Sequence, residues 1–163
     1  MVSKRIVKIT EDLVVLVADG NAYTRRLTRQ MLATIGIKST HEVADGIETL
    51  NAVAAGKADV MILDWCMPSL EGSEVMRIVR SPGVFPKSGL PVIMLTDVGL
   101  ESRAMTAIRV GAHELLIKPI SPKTLQQRLL GIVLNPRPMV RAGKFYIPMP
   151  RRRVEFRELI QVA

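Results

Sequence analysis

The sequence predicts an α/β fold in which a parallel sheet is covered by helices on both faces. Five short strand-like segments, four of them largely apolar, are each followed by a helical pattern, all within roughly the first 134 residues. Because strands and helices alternate strictly and the connections are short, a parallel sheet is favoured over hairpins. Hydrophobic residues make up 48% of the chain and charged residues 23%, which suits a globular domain with a real core.

The first two strand–helix units are predicted in residues 13–55. Residues 13–18 form a continuous, valine-rich apolar run, typical of a strand buried on both faces. Asp19-Gly20-Asn21 supplies turn and capping residues, so a helix is expected over 22–35, closed by Gly36. A weaker strand over 39–43 and a helix from Asp45-Gly46 to about residue 55 complete the second unit.

The other three units follow the same plan. An apolar strand runs directly into Asp64, and a loop containing two prolines and two glycines occupies residues 81–90. Ser121-Pro122 has the composition of a helix start, with Ser as N-cap and Pro at the first helical position. The strands are expected at 59–63, 91–95 and 114–117, and the helices at 72–80, 99–110 and 121–134.

Four polar residues stand where predicted strands end: Asp19, Asp64, Thr96 and Lys118. In an open parallel sheet, ligands bind beyond the carboxyl ends of the strands. Two carboxylates, a hydroxyl and an ammonium at one crevice suit a divalent cation and a phosphoryl group. An aspartate there can attack a phosphoryl donor and become an acyl phosphate.

Residues 12–134 resemble the receiver domain of bacterial two-component response regulators. The resemblance rests on LVVLVADGN, the LDWCMP segment, Gly72, MLT ending at Thr96, Gly111-Ala112 and Lys118-Pro119. It implies a CheY-like, doubly wound five-stranded sheet of order 2-1-3-4-5. It also implies a signalling and binding module rather than a turnover enzyme, with a histidine kinase or phosphotransferase and a downstream protein target as partners.

The same resemblance assigns the site residues. Asp64 would be the phosphoacceptor, Thr96 the switch hydroxyl and Lys118 the phosphoryl-binding lysine. Asp19, Asp64 and the backbone carbonyl of Cys66 would hold Mg²⁺. The Lys118-Pro119 bond is often cis in this family.

Three positions depart from the family pattern. Gly20 stands where a second acid is usual, which should weaken Mg²⁺ binding. Asp97 replaces the small residue after the switch hydroxyl, and its carboxylate would repel a phosphoryl group unless it turns away or serves as a metal ligand. Leu115 stands where an aromatic switch residue is usual, so the customary ring movement has no ring.

The net charge of +8 is concentrated after residue 135. Residues 136–163 contain seven basic and two acidic residues, and Asn135-Pro136 breaks the last predicted helix. We therefore divide the chain into an N-terminal segment (1–11), a receiver (12–134) and a basic extension (135–163) without a sustained secondary-structure period. Phe145-Tyr146 offers apolar anchors that could pack on the receiver or on a partner.

The extension resembles the arginine-rich tails of CheY-like proteins that bind cyclic di-GMP. The shared pattern is a proline-rich exit, an aromatic pair and a Pro-Arg-Arg-Arg run. Arginine pairs bidentately with phosphate and stacks on bases. The candidate nucleotide ligands are Arg137, Arg141, Arg151, Arg152 and Arg153. A solvated tail without a ligand, and general contact of the triple arginine with nucleic-acid phosphates, are the alternatives.

Other classes of protein are disfavoured. The single cysteine, Cys66, cannot form an internal disulfide, and with two histidines a structural zinc site is not expected. His41 and His113 are interpreted as surface or loop residues. No apolar run approaches the roughly 18 residues of a membrane span, and we expect a cytoplasmic protein. Sequence-specific DNA binding is not expected, because no base-reading motif is present.

Three functional hypotheses follow. The first is a stand-alone response regulator that is phosphorylated on Asp64 and acts through protein contacts around residues 104–110 and 114–117. The second is a degenerate receiver controlled by cyclic di-GMP or a protein partner bound to its tail. The third is an oligomeric or structural role for the tail.

Overall fold

The computed structural model describes residues 3–83 and 85–151. At its centre is a five-stranded sheet whose strand order is β2-β1-β3-β4-β5, with every neighbouring pair parallel. The predicted doubly wound order 2-1-3-4-5 is therefore confirmed. The strands are β1 (Val14–Ala18), β2 (Ser39–Val43), β3 (Val60–Asp64), β4 (Val92–Thr96) and β5 (Glu114–Ile117).

In the described residues, six helices accompany the sheet, and several begin at the capping residues expected from the sequence. The Asn21 side chain accepts hydrogen bonds from the backbone N–H groups of Tyr23 and Thr24, and Ser121 caps the last helix. The helices are α1 (Lys4–Asp12), α2 (Ala22–Thr34), α3 (Gly46–Ala54), α4 (Gly72–Val79), α5 (Glu101–Arg109) and α6 (Pro122–Leu134). In the described part of the chain, none has the length and apolar character needed to cross a bilayer.

The central strands are buried on both faces because alternate residues serve two separate cores. Leu16, Met61 and Met94 face one core, which α3, α4 and α5 cover. Val17 and Ile62 face the other, which is covered by α2 and α6. Since all five residues of β3 and of β4 are buried, these strands fix the positions of Asp64 and Thr96 at their carboxyl ends.

Both ends of the described chain contain elements that the sequence did not predict. Ser3 caps helix α1, and its hydroxyl accepts a hydrogen bond from Arg5 N. After α6, the strands β6 (Met139–Ala142) and β7 (Phe145–Pro148) form an antiparallel hairpin. Its strands are only four residues long, too short for a periodic pattern to reveal. Ile147 is the buried anchor of the hairpin, while Phe145 and Tyr146 are half-buried.

Arg80, just after α4, is fully buried beneath this hairpin. Its guanidinium donates hydrogen bonds to the carbonyl oxygens of Ser88, Leu90 and Gly111 at 2.5–3.1 Å. Its own carbonyl accepts from Tyr146 N at 3.2 Å. Burial lowers the pKa of Arg80 to about 9, which keeps it charged at neutral pH. One residue thus joins the loop after α4, the turn after α5 and the hairpin.

His113 lies in the loop before β5, in keeping with the expectation of a surface or loop residue, but it is buried, with 8% of its area exposed. Its Nδ1 accepts a hydrogen bond from Val92 N at 3.2 Å and lies 3.5 Å from Arg80 Nη2. Burial, together with the charges of Arg80 and Arg137, lowers the pKa of His113 to about 3. A residue that precedes β5 by one position therefore belongs to the interior as a neutral ring.

This neutral histidine should make stability depend on pH. Below the ordinary histidine pKa of about 6.5 the unfolded chain binds a proton that the folded chain refuses, so stability falls as pH drops toward 3. The slope contributed by His113 is about 1.4 kcal/mol per pH unit inside that window. His113→Asn, which keeps an acceptor for Val92 N, should remove that part of the slope in urea titrations between pH 7 and 4. An unchanged slope would contradict the assignment.

Candidate functional site

The carboxyl end of the sheet brings together the four strand-end residues expected from the sequence. Lys118 Nζ lies 2.8 Å from Asp64 Oδ1 and 3.9 Å from Asp19 Oδ2. Asp19, Asp64 and Thr96 are all buried, with 2%, 5% and 0% of their areas exposed. The Lys118-Pro119 bond is cis, as the resemblance implied.

Asp19 is held by its own neighbours. Asn21 N donates to its Oδ1 at 2.8 Å, and Thr24 Oγ1 donates to its Oδ2 at 2.6 Å. Arg25 binds its backbone carbonyl at 2.7 Å. The first turn of α2 therefore fixes this carboxylate toward the crevice.

Asp64 is held by Lys118 rather than by its own neighbours in the chain. Its Oδ1 is buried and lies 2.8 Å from Lys118 Nζ. Burial raises the pKa of the Asp64 carboxyl, although Lys118 opposes the shift. Burial acts against the charge of Lys118, but the carboxylates of Asp64, Asp19 and Asp97 outweigh it and raise the lysine pKa. The site thus holds a firmly cationic lysine beside a buried carboxylate whose pKa is raised.

Gly20 stands against the loop that follows the phosphoacceptor candidate. A Cβ at position 20 would lie 2.6 Å from Pro68 Cδ, closer than real contacts allow. An acid at this position would require the Met67-Pro68 loop to shift. Asp97 turns outward, with 66% of its side chain exposed and its Oδ1 3.8 Å from Lys118 Nζ.

The residues present fit a magnesium ion that keeps most of its water. Mg²⁺ binds through one or two carboxylates, and Asp19 and Asp64 supply two buried ones at the same edge of the sheet. Cys66, whose carbonyl is the third expected ligand, lies in the exposed loop after β3. In residues 3–83 and 85–151, no cluster of three acidic, histidine or cysteine side chains offers a richer site.

Thr96 has a partner that the sequence did not reveal. Arg103 Nη1, from the first turn of α5, donates a 2.5 Å hydrogen bond to Thr96 Oγ1. The same guanidinium lies over the ring of Trp65, 5.0 Å from its centroid. The only sequence signal is a basic residue seven positions after the strand-end threonine, which is too common to interpret.

The tail arginines do not form one described cluster. Arg137 donates to the His113 carbonyl at 2.7 Å and to Met149 O at 3.1 Å, and Arg151 pairs with Glu114. Arg141 bonds to Gly143 O inside the hairpin. Arg152 and Arg153 lie outside the described residues. Arg137 and Arg151 thus contact the edge formed by β5.

A family model described as the response regulator receiver domain matches residues 15–130. Chemotaxis protein CheY1 of Helicobacter pylori is 30% identical over 115 residues, covering 70% of this chain and 91% of that protein. The structure of the chemotaxis response regulator CheY4 of Vibrio cholerae is 31% identical with a TM-score of 0.64, covering 74% of this chain and 98% of that one.

A third match shares the fold at 24% identity and a TM-score of 0.64, covering 72% of this chain and 94% of that one. It is the receiver domain of the sensor histidine kinase PA1611 of Pseudomonas aeruginosa, described with a magnesium ion coordinated in its active site cleft.

Proposed function

This chain belongs to the response regulator receiver domain family, and from that premise we propose that it is a phosphorylated signalling switch of a two-component system. Asp64 accepts the phosphoryl group from a histidine kinase or phosphotransferase, and the output is a protein contact. The observation that carries the proposal is the buried carboxylate of Asp64, whose Oδ1 lies 2.8 Å from Lys118 Nζ.

The proposed reaction is an in-line transfer. A carboxylate oxygen of Asp64 attacks the phosphorus of phosphohistidine, so that a P–O bond forms as the P–N bond breaks. The electron pair of the broken bond stays on the imidazole nitrogen, which takes up a proton. The products are an aspartyl phosphate and a neutral histidine.

The chain's own residues supply most of what this step requires. Lys118 offers a positive charge to the phosphoryl oxygens, and the Thr96 hydroxyl offers a hydrogen bond once it turns toward them. Asp19 and Asp64 would hold Mg²⁺, which when bound neutralises charge on the transferring group. Because Gly20 stands where the family pattern has a second acid, the site has one carboxylate fewer. Phosphorylation should therefore need a higher magnesium concentration than in a receiver with both acids.

The direct test is phosphorylation by a small donor. Incubation with acetyl phosphate and magnesium should produce an aspartyl phosphate at residue 64, mapped by mass spectrometry after borohydride reduction. Asp64→Asn should abolish it, because an amide nitrogen or oxygen is not a competent nucleophile here. Asp12→Asn is the matched control: Asp12 is exposed and precedes β1, at the opposite edge of the sheet. Absence of modification with acetyl phosphate and with a competent kinase would contradict the proposal.

Control through the tail is the second candidate, and the missing acid at Gly20 favours it. In this version the receiver is degenerate, and a nucleotide such as cyclic di-GMP, or a protein, binds the arginines of the tail. Calorimetry with cyclic di-GMP should then give a binding heat that Arg151→Ala/Arg152→Ala/Arg153→Ala removes. No heat would exclude the nucleotide version. An oligomeric role for the tail stays a prediction, tested by solution scattering of full-length and truncated protein.

A further inference from the structure

The residue that relays the state of Thr96 is not the one that the family pattern suggests. Leu115, at the usual aromatic position, is a half-buried aliphatic side chain packed against the core. An aliphatic side chain offers no hydroxyl or ring edge to a neighbouring threonine. A different group must therefore connect the crevice to the helices if the switch operates.

Arg103 occupies the place of such a connection. The Thr96 hydroxyl accepts from Arg103 Nη1 at 2.5 Å and from Val98 N at 3.2 Å, and it donates to Val98 O at 3.3 Å. A hydroxyl has one proton and two lone pairs, so these three contacts use its full capacity. Thr96 cannot donate to a phosphoryl oxygen without rearranging this set.

The other side of the Arg103 guanidinium touches the loop that carries the phosphoacceptor. Its carbon lies 5.0 Å from the centroid of Trp65, the residue after Asp64, and Nη2 lies 4.0 Å from Cys66 Sγ. A guanidinium over an indole face is attracted by the ring quadrupole. One side chain from the first turn of α5 therefore contacts both the switch hydroxyl and the residues next to Asp64.

We propose that Arg103 is the positioning residue that couples Thr96 to helix α5, in place of an aromatic switch at residue 115. When the Thr96 hydroxyl turns toward a phosphoryl oxygen, its charge-assisted hydrogen bond shifts the Arg103 guanidinium across the ring of Trp65. The first turn of α5, which carries Arg103, moves with it. As a role in signalling, this inference rests on the proposed phosphorylation of Asp64; the Thr96–Arg103–Trp65 link itself does not.

The link can be tested without any phosphoryl group, because the chain has one tryptophan. In labelled, unmodified protein, Thr96→Val should shift the Trp65 indole N–H resonance. In an Arg103→Ala background the same substitution should shift it much less, so that the two effects are not additive. Arg109→Ala, an exposed arginine in the last turn of α5, is the matched control and should leave the Thr96→Val shift intact. Additive effects would overturn the inference.

Signalling is tested with beryllofluoride, a phosphoryl analogue, in the presence of magnesium. Wild-type and Arg109→Ala protein should show amide shifts at Asp64 and Lys118 and along α5. Arg103→Ala should keep the shifts at the crevice and lose those along α5, and Arg103→Lys should recover them only in part, since an ammonium is not planar. Persistence of the α5 shifts in Arg103→Ala overturns the proposal. If wild type shows no shift at the crevice, phosphorylation fails as the function, while the indole experiment still decides the link.

Discussion

Replacing Arg80 with methionine is expected to lower the free energy of unfolding by about 3 kcal/mol. Methionine fills a similar volume but donates no hydrogen bond, so the carbonyl oxygens of Ser88, Leu90 and Gly111 lose the donors that satisfy them. Each buried acceptor left without a partner costs about 1–3 kcal/mol of stability. Removing the buried guanidinium charge also removes its desolvation cost, which offsets part of this loss. Urea denaturation followed by Trp65 fluorescence would measure the loss.

Two further variants separate the causes. Arg80→Lys keeps the charge but cannot span three carbonyls with a planar fork, so it should lose nearly as much stability. Arg77→Met removes a basic residue from the last turn of the same helix, on its exposed side, and should change stability by less than about 0.5 kcal/mol. If Arg80→Met were as stable as wild type, the hydrogen bonds of this buried guanidinium would not hold β5 and the hairpin in place.

Arg80 also illustrates what the sequence could and could not reveal. Four of the five sheet strands were predictable because each is a largely apolar run bounded by turn residues, as in Val60–Asp64, whereas β2 is mostly polar and gave a weaker signal. An arginine after the last helical turn is, by contrast, expected to be solvated. Its burial depends on carbonyl groups 8 to 31 residues away, and such tertiary partners leave no local pattern. The burial of His113 was missed for the same reason.

The candidate site also contains some residues that the sequence could predict and others that it could not. Asp19, Asp64, Thr96 and Lys118 were predictable because strand ends in a parallel sheet converge at one edge. The contact between Arg103 and Thr96 was not, since it depends on how the loop after β4 orients the first turn of α5. The glycine at position 20 seemed only to remove a metal ligand, whereas the structure adds a steric reason, its 2.6 Å approach to Pro68.

Gly72→Ala is expected to destabilise the protein by about 2–3 kcal/mol and to impair phosphorylation of Asp64 as well. Gly72 opens α4, and its N–H donates to Trp65 O at 2.9 Å. A Cβ here would lie 2.4 Å from the Asp64 carbonyl oxygen and 3.2 Å from Trp65 Cα. Both are backbone atoms of a buried strand end, so no side-chain rotation relieves the collision. The start of α4 or the backbone of the phosphoacceptor must move.

The matched control is the same glycine-to-alanine substitution at a position where the added Cβ meets no other atom. Gly131 lies exposed inside α6, and a Cβ there meets nothing within 4 Å. Gly131→Ala should therefore raise stability by about 0.5–1 kcal/mol, because alanine has the higher helix propensity and restricts the unfolded chain. Thermal unfolding of both variants, with acetyl phosphate labelling of each folded protein, would compare them. We expect the two substitutions to change stability in opposite directions, with slower labelling in Gly72→Ala alone. That result would show that the contact with the Asp64 backbone causes both the lost stability and the slower labelling. Equal labelling of the two variants would mean that α4 moves while the phosphoacceptor stays in place.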